Sequence, residues 1–266
     1  MTEDVAAVPA DAEIDASRMP LLAHLVELRS RLLKSLLAIG LAFAVCFYFS
    51  RTILIFLVQP LVKAGQKTLI YTQPTEAFFV EMKVALFAAL MIAFPVIANQ
   101  LWKFVAPGLY KQEKRALLPF LLATPILFIM GAATAYYGAI PVALKFLLGF
   151  GGDLDGVKLE ALPASAYYLS FIMQFIMAFG IAFLMPILLM LLERAGIVTR
   201  AKLISLRRYM IVAAFAIAAV ATPPDILSQF MLAIPLMLLY EISLFAIWFT
   251  QRRRARVDDA ADQPAV

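Results

Sequence analysis

Apolar residues run in long blocks separated by short polar connectors. The blocks cover 32–49, interrupted only by Lys34 and Ser35, then 84–101, 116–140, 167–192, 209–221 and 226–250. A helix needs about 20 apolar residues to cross ~30 Å of hydrocarbon. The first four blocks meet that length. The fifth has only 13 residues, which alone points to a re-entrant or interfacial piece. Between the fifth and sixth lies Thr222-Pro223-Pro224-Asp225, and two prolines cannot continue a helical ladder, so a hairpin bends there. The two longest polar connectors, 51–83 with Pro60 and Pro74 and 141–166 with Gly151-Gly152, read as loops. Pro95, Pro119, Pro125, Pro186 and Pro235 fall inside the blocks, where they predict kinks that shape a bundle.

Charge sets the orientation. Of the 23 Lys and Arg, 17 fall in four groups: Arg18–Lys34, Lys103–Arg115, Arg194–Arg208 and Arg252–Arg256. These groups alternate with poorer connectors, so the positive-inside rule places them in the cytoplasm with both termini. The number of crossings is then even, and blocks five and six must cross and return. If Glu241 marks the cytoplasmic boundary, the sixth crossing is short like the fifth, and a thinner or shielded bilayer is expected beside the pair. The fold class expected is an all-α membrane protein of six transmembrane helices, the last two short. Residues 1–18 carry five acids against Arg18 alone. They lack the positive start of a secretory signal and read as a disordered cytoplasmic tail. Residues 19–250 form the membrane domain, and 251–266 a second cytoplasmic tail.

Composition agrees. Hydrophobic residues make up 64 % and charged residues 15 %, against roughly 45–50 % and about 25 % in soluble domains. That excludes a soluble enzyme and a disordered chain. One cysteine (Cys46) excludes an intrachain disulfide framework, and with one histidine (His24) a metal site is not expected. The net charge of +5 reads as cytoplasmic loops, not nucleic-acid binding.

Candidate chemistry sits near the membrane surfaces. From Pro20 to Leu32, Leu21, Leu25, Leu28 and Leu32 share one helical face, and His24, Glu27 and Arg31 another. This is an amphipathic helix at the cytoplasmic interface. Glu27 either pairs with Arg31 at (i, i+4) or receives a ligand. Glu113, an acid in the basic loop Lys111–Arg115, is either a solvated carboxylate or a partner to Glu27. Two carboxylates suit two guanidinium groups, since each accepts a charge-assisted fork. Asp225 can cap the sixth helix, with Gln229 one turn on. Gln174 can hydrogen-bond across helices. No HExxH, nucleophile–base pair or GxxxxGK[ST] loop is present, so an enzyme, a cofactor and nucleotide hydrolysis are not expected. A secondary transporter of a small solute is the alternative class. It would favour inverted repeats and midplane ionisable groups, and neither is seen.

The residues resemble the TatC family, the large polytopic subunit of the twin-arginine protein translocase, over about 19–250. The resemblance rests on His24-Leu-Val-Glu27-Leu-Arg29-Ser-Arg31-Leu32, Pro74-Thr-Glu76-Ala-Phe78, the run from Gln100 through Trp102, Phe104 and Pro107 to Glu113 and Arg115, Phe179-Gly180 with Pro186, Thr222-Pro-Pro-Asp225 and Ser228-Gln229. It implies a concave, glove-like bundle in the bacterial inner membrane. It implies a receptor for twin-arginine signal peptides of folded cargo, driven by the proton-motive force. It further implies single-span partners, TatB and TatA, in a hetero-oligomer of several copies. By resemblance, Glu27 and Glu113 contact the twin arginines, Arg29 and Phe104 belong to the same activity, and Thr222 and Gln229 form a polar patch near partner helices. Pro60 and Asp225 match positions tied to activity or assembly. Many relatives carry Glu or Gln where this chain has Leu184, so that position is expected to face the concavity and not bulk lipid.

Overall fold

A computed structural model describes the backbone of residues 10–109, 114–154, 157–159, 161–222 and 225–261, and side chains within 25–104, 120–151, 161–222 and 225–252. In chain order the elements are α1 (Ala10–Tyr48), α2 (Ser50–Lys63), α3 (Glu76–Leu109), α4 (Lys114–Thr134), a π-helical turn (Ala135–Ala139) and α5 (Ile140–Leu148). A small antiparallel hairpin follows, β1 (Gly152–Leu154) with β2 (Val157–Leu159), in which Gly152 lies opposite Leu159. Then come α6 (Ser165–Ala182), α7 (Met185–Arg194), α8 (Arg200–Ser205), α9 (Arg207–Ala221) and α10 (Ile226–Ala261).

Among the described residues, five helical stretches are long and apolar enough to cross a membrane: Leu25–Tyr48, Glu76–Phe104, Phe120–Leu148, Ser165–Arg194 and Ile226–Arg252. The sixth apolar helix, α9, has 15 residues, about 22 Å at 1.5 Å per residue. The hairpin expected at Thr222–Asp225 joins α9 to α10, which pack side by side. Arg207, at the start of α9, holds Glu241 at 2.7 Å. Glu241 therefore marks where the paired hairpin ends, but α10 does not stop there. The last helix is 36 residues long, so only α9 is short. Helix α1 takes in 10–18 and α10 reaches Ala261, residues expected to be tails; 1–9 and 262–266 lie outside the described residues.

Two expected loops are partly helical. Within 51–83 the run Ile53–Val58 drives α2, whose Leu57, Pro60 and Leu61 are buried. The third span does not end at Ile140. It continues through the π turn into α5, because Pro141 falls in the first turn of α5, where a helix needs no N–H.

One main core joins α2, α3, α4, α5, α6, α9 and α10, centred on Phe175, Phe179, Ile172 and Leu232. Helix α1 stands apart. It packs along α3, with Cys46 seated among Ala85, Ala88 and Ala89, and only 6 % of its apolar span is buried. Helices α4 and α6 cross closely on glycine. A Cβ on Gly180 would lie 2.6 Å from the Phe128 ring, and one on Gly131 would run into the Phe179 carbonyl. Small residues permit such approach in membranes, where packing drives association.

The connectors at one end are stitched together by a carboxylate. Glu76, at the start of α3 and 8 % exposed, accepts from the Thr72 amide at 2.7 Å, the Thr72 hydroxyl at 2.8 Å and the Gln73 amide at 3.4 Å. It also accepts from the Ala166 amide, in the first turn of α6, at 2.9 Å. Beside it, Ile70 bridges Ala164, and the Ser165 amide donates to the Ile70 carbonyl at 2.9 Å.

Gly131→Val should force α4 from the backbone of α6, an overpacking cost of roughly 1–3 kcal/mol. Thermal unfolding of the purified variant in detergent should move down. Gly40→Ala, at a glycine with open space around it, should leave it unchanged.

Candidate functional site

The amphipathic start of α1 carries the first candidate carboxylate. Arg31 Nε donates to Glu27 Oε1 at 3.0 Å, and Arg31 Nη2 closes on the same oxygen. The (i, i+4) pair is thus made. Both bonds use Oε1, so Oε2 has no partner among the described residues. The Glu27 side chain remains 36 % exposed. Arg29 is exposed on the same helix, and Phe104 is half-buried near the far end of α3. Glu113 lies outside the described residues.

Pro60 lies in α2, which follows the far end of α1; that end, Tyr48, is ~31 Å along the helix from Glu27. Its role is local. Proline gives no N–H to the Phe56 carbonyl one turn back. The Tyr136 hydroxyl, in the π turn, donates to that carbonyl at 2.6 Å. The Tyr136 ring stacks on Phe56 with centroids 4.3 Å apart. Tyr168, on α6, donates to the next carbonyl, Leu57, at 3.0 Å. Pro60 therefore creates the acceptor by which α2 is tied to the π turn. The residues carrying this contact were missed by sequence reasoning; an (i−4) carbonyl orphaned by an intrahelical proline is the signal that a search for buried hydroxyls could have used.

The α9–α10 corner gathers three further candidates. Thr222 is buried, and its hydroxyl donates to the Ala218 carbonyl at 2.8 Å. Asp225 caps α10: Oδ1 accepts from the Ser228 amide at 2.7 Å. Asp225 Oδ2 and Ser228 Oγ are buried with no hydrogen-bond partner among the described residues. Gln229 is half-buried one turn on. Gln174 does bond across helices, donating to the Val220 carbonyl at 3.3 Å. Gln174 lies nine residues into α6, about 14 Å along it. The short α9 therefore turns back well below the start of α6, and the polar corner is recessed.

Leu184 lies in the break between α6 and α7, where Pro186 opens the new helix. Its side chain lines a concavity of about 870 Å³ between α3, α4, α6, α7, α9 and α10. Among the lining side chains only Trp102 and Thr124 are polar. They satisfy each other, the indole N–H donating to the Thr124 hydroxyl at 2.8 Å, while that hydroxyl donates to the Phe120 carbonyl at 2.7 Å. Leu184 thus faces the hollow of the bundle, as expected.

Comparison with known proteins decides the family. The description "Sec-independent protein translocase protein (TatC)" matches residues 23–235. The chain belongs to the TatC family. It is 47 % identical over 247 residues to the Sec-independent protein translocase protein TatC of Magnetococcus marinus, covering 92 % of this chain and 90 % of that one. Against the TatC of Aquifex aeolicus the identity is 43 % over 245 residues, covering 91 % and 100 %. A crystal structure of a twin-arginine translocase receptor, TatC, superposes with a TM-score of 0.75 at 43 % identity, covering 86 % of this chain and 99 % of that one. This TatC-family chain is accordingly a multi-pass membrane protein of a protein translocase.

In this TatC-family chain, Leu184→Gln and Leu184→Glu should leave accumulation in the membrane intact. A polar group at a lipid-facing mid-helix position would cost about 2.5–3.5 kcal/mol for Asp on insertion scales, whereas a group lining the concavity escapes that cost wherever the hollow admits water. Membrane levels on immunoblots, read beside Ile92→Glu at an exposed position in the middle of α3 and outside the concavity, check this. A loss for Leu184→Glu as severe as for Ile92→Glu would show that the concavity is sealed by apolar contacts.

Proposed function

We propose that this chain is the core subunit and signal-peptide receptor of a twin-arginine translocase. It binds the twin-arginine motif at the cytoplasmic surface through Glu27 and Glu113, with Arg29 and Phe104 in the same site, and it serves export of folded proteins driven by the proton-motive force. The observation that carries this reading is the Glu27 carboxylate. It already takes a guanidinium from Arg31 on one oxygen, and its other oxygen and a third of its surface are open. A carboxylate so placed accepts a second guanidinium as a charge-assisted hydrogen bond. The arrangement is a binding surface for a basic peptide, not a reaction centre.

TatB and TatA are the proposed single-span partners, in a hetero-oligomer of several copies. The support is the recessed α9–α10 corner, where Asp225 Oδ2 and Ser228 Oγ are buried without partners among the described residues, beside Thr222 and Gln229. Unsatisfied polar groups at membrane depth are expensive, and a partner helix carrying a polar side chain would satisfy them. Six crossings with both termini in the cytoplasm complete the reading. It is supported by the basic groups that gather at one end and by the Arg207–Glu241 contact that closes the short hairpin there.

Glu27→Lys and Glu113→Lys each replace attraction with repulsion, a loss on the order of 1–3 kcal/mol. Photocrosslinking to a twin-arginine signal peptide should fall about tenfold or more for each, to the level of a twin-lysine control, with membrane insertion normal. Normal capture by Glu113→Lys would refute the paired-carboxylate mechanism. The topology is tested by cysteine labelling, which the buried Cys46 (2 % exposed) leaves without background. Cysteines at Lys158 and beside Asp225, at the exposed Ile226, should react with an impermeant reagent from outside, and those at Gln112 and Lys202 only from inside. Labelling of Lys202→Cys from outside would overturn six crossings.

A further inference from the structure

At the Arg207–Glu241 end of the bundle, α8, α9 and α10 enclose a second cavity, remote from the large concavity. Its volume is about 300 Å³, and its lining is Arg200, Arg207, Glu241, Leu244, Phe245 and Trp248. One wall is guanidinium and the other is apolar. Arg207 is committed to Glu241 at 2.7 Å. Arg200 has no carboxylate within ion-pair distance among the described residues, and its Nε is buried with no acceptor. A buried guanidinium nitrogen without an acceptor is costly, so the site is incomplete as the protein alone presents it. A third guanidinium stands at the rim: Arg252 lies over the Trp248 ring, 4.1 Å from its centroid. The two arginines and Arg252 outweigh the one carboxylate, and the cavity is short of negative charge.

Its depth identifies what supplies that charge. Trp248 lies four residues before the end of the last apolar span, Ile226–Arg252, and tryptophan and arginine together mark the headgroup level of a membrane. Phe245, on the cavity wall, is 65 % exposed on a helix whose neighbouring turns face hydrocarbon. A ligand entering here meets apolar surface on one side and guanidinium on the other. We propose that this cavity binds the phosphate of an anionic phospholipid headgroup, with Arg200 as the principal donor and Phe245 and Trp248 against the upper acyl chain. Basic pockets between helices at a membrane surface have the chemistry for such headgroups. The lipid is the source favoured over free phosphate because half of the wall is apolar and open to the bilayer.

The test is native mass spectrometry of the full chain in a neutral detergent, titrated with dioleoyl phosphatidylglycerol and, in parallel, dioleoyl phosphatidylcholine. The wild-type chain should retain the anionic lipid preferentially. Arg200→Gln should weaken its retention about tenfold, the scale of one charged hydrogen bond, and leave phosphatidylcholine unchanged. Glu241→Gln removes the opposing carboxylate and should tighten retention, a gain that misfolding would not produce. Arg208→Gln, at an exposed arginine stacked on Tyr209 outside the cavity, should do nothing. Equal losses for Arg200→Gln and Arg208→Gln would reduce the effect to general surface charge and overturn the site. Displacement of the lipid by millimolar inorganic phosphate would show a free-anion site and overturn the lipid assignment. Loss of retention in Glu241→Gln would overturn it as well.

Discussion

The Glu76 carboxylate holds the arrangement that the rest of the bundle needs. Three backbone amides and one hydroxyl converge on it, and they come from both ends of a problem. The connector that follows α2 supplies Thr72 and Gln73, and the start of α6 supplies Ala166. Helix starts leave amides without partners, and near hydrocarbon each such amide is costly. One acceptor-only side chain settles this for α6 and the turn into α3 together. It thereby fixes where α3 and α6 begin relative to each other, and with them the crossing that Gly131 and Gly180 allow between α4 and α6. The Ile70–Ala164 bridge and the Ser165 amide bond extend the same join.

The same constraint explains the irregularities. Pro60 frees a carbonyl in α2, and Tyr136 fills it from a π turn; the wider turn is part of how a tyrosine in a continuous span reaches a neighbouring helix. The α9 helix ends early, so its corner cannot rely on bulk water at the surface. Thr222 turns its hydroxyl back on Ala218 and Asp225 caps α10. What remains unsatisfied there, Asp225 Oδ2 and Ser228 Oγ, is confined to one small patch. The concavity beside it is apolar to the point that its two polar side chains bond each other. The corner thus carries two of the buried polar atoms left without a partner among the described residues, and Asn99 Oδ1 and Arg200 Nε are the others.

The block pattern made the membrane class, the first four long spans, the hairpin at Thr222–Asp225, the cap by Asp225 and the cross-helix bond of Gln174 legible in the sequence. Each is local: hydropathy, a proline pair, a capping residue, one amide. What was not legible depends on partners distant in sequence. Helix α2 hid in a loop because 14 residues are too few for a span and its burial against α3, α5 and α6 comes only with the fold. Pro141 looked like a terminator, yet it occupies a first turn. Glu76 was visible only as part of a motif, since its fourth donor is ninety residues away. Glu241 did mark the end of the paired hairpin, but the apolar block runs on to 250 and α10 runs on with it, packed against α7 and α8; the block outweighs the single acid.

The Glu27–Arg31 pair gives the proposed recognition site a physical character of its own. An exposed (i, i+4) pair contributes only a few tenths of a kcal/mol to a helix, so it does not lock the carboxylate away. It does orient it. Arg31 draws on Oε1 alone and leaves Oε2 directed by the rotamer that the pair selects, which lowers the entropy an incoming cation must remove. A planar guanidinium can share such a carboxylate edge-on, whereas an ammonium group is strongly hydrated and makes no fork. With a second carboxylate, each arginine of a pair finds its own acceptor, and two modest charge-assisted bonds multiply into a preference that one could not supply. In the proposed site, discrimination of arginine from lysine would rest on geometry held in place by a weak internal ion pair, at a surface where screening by salt would erase a preference based on charge alone.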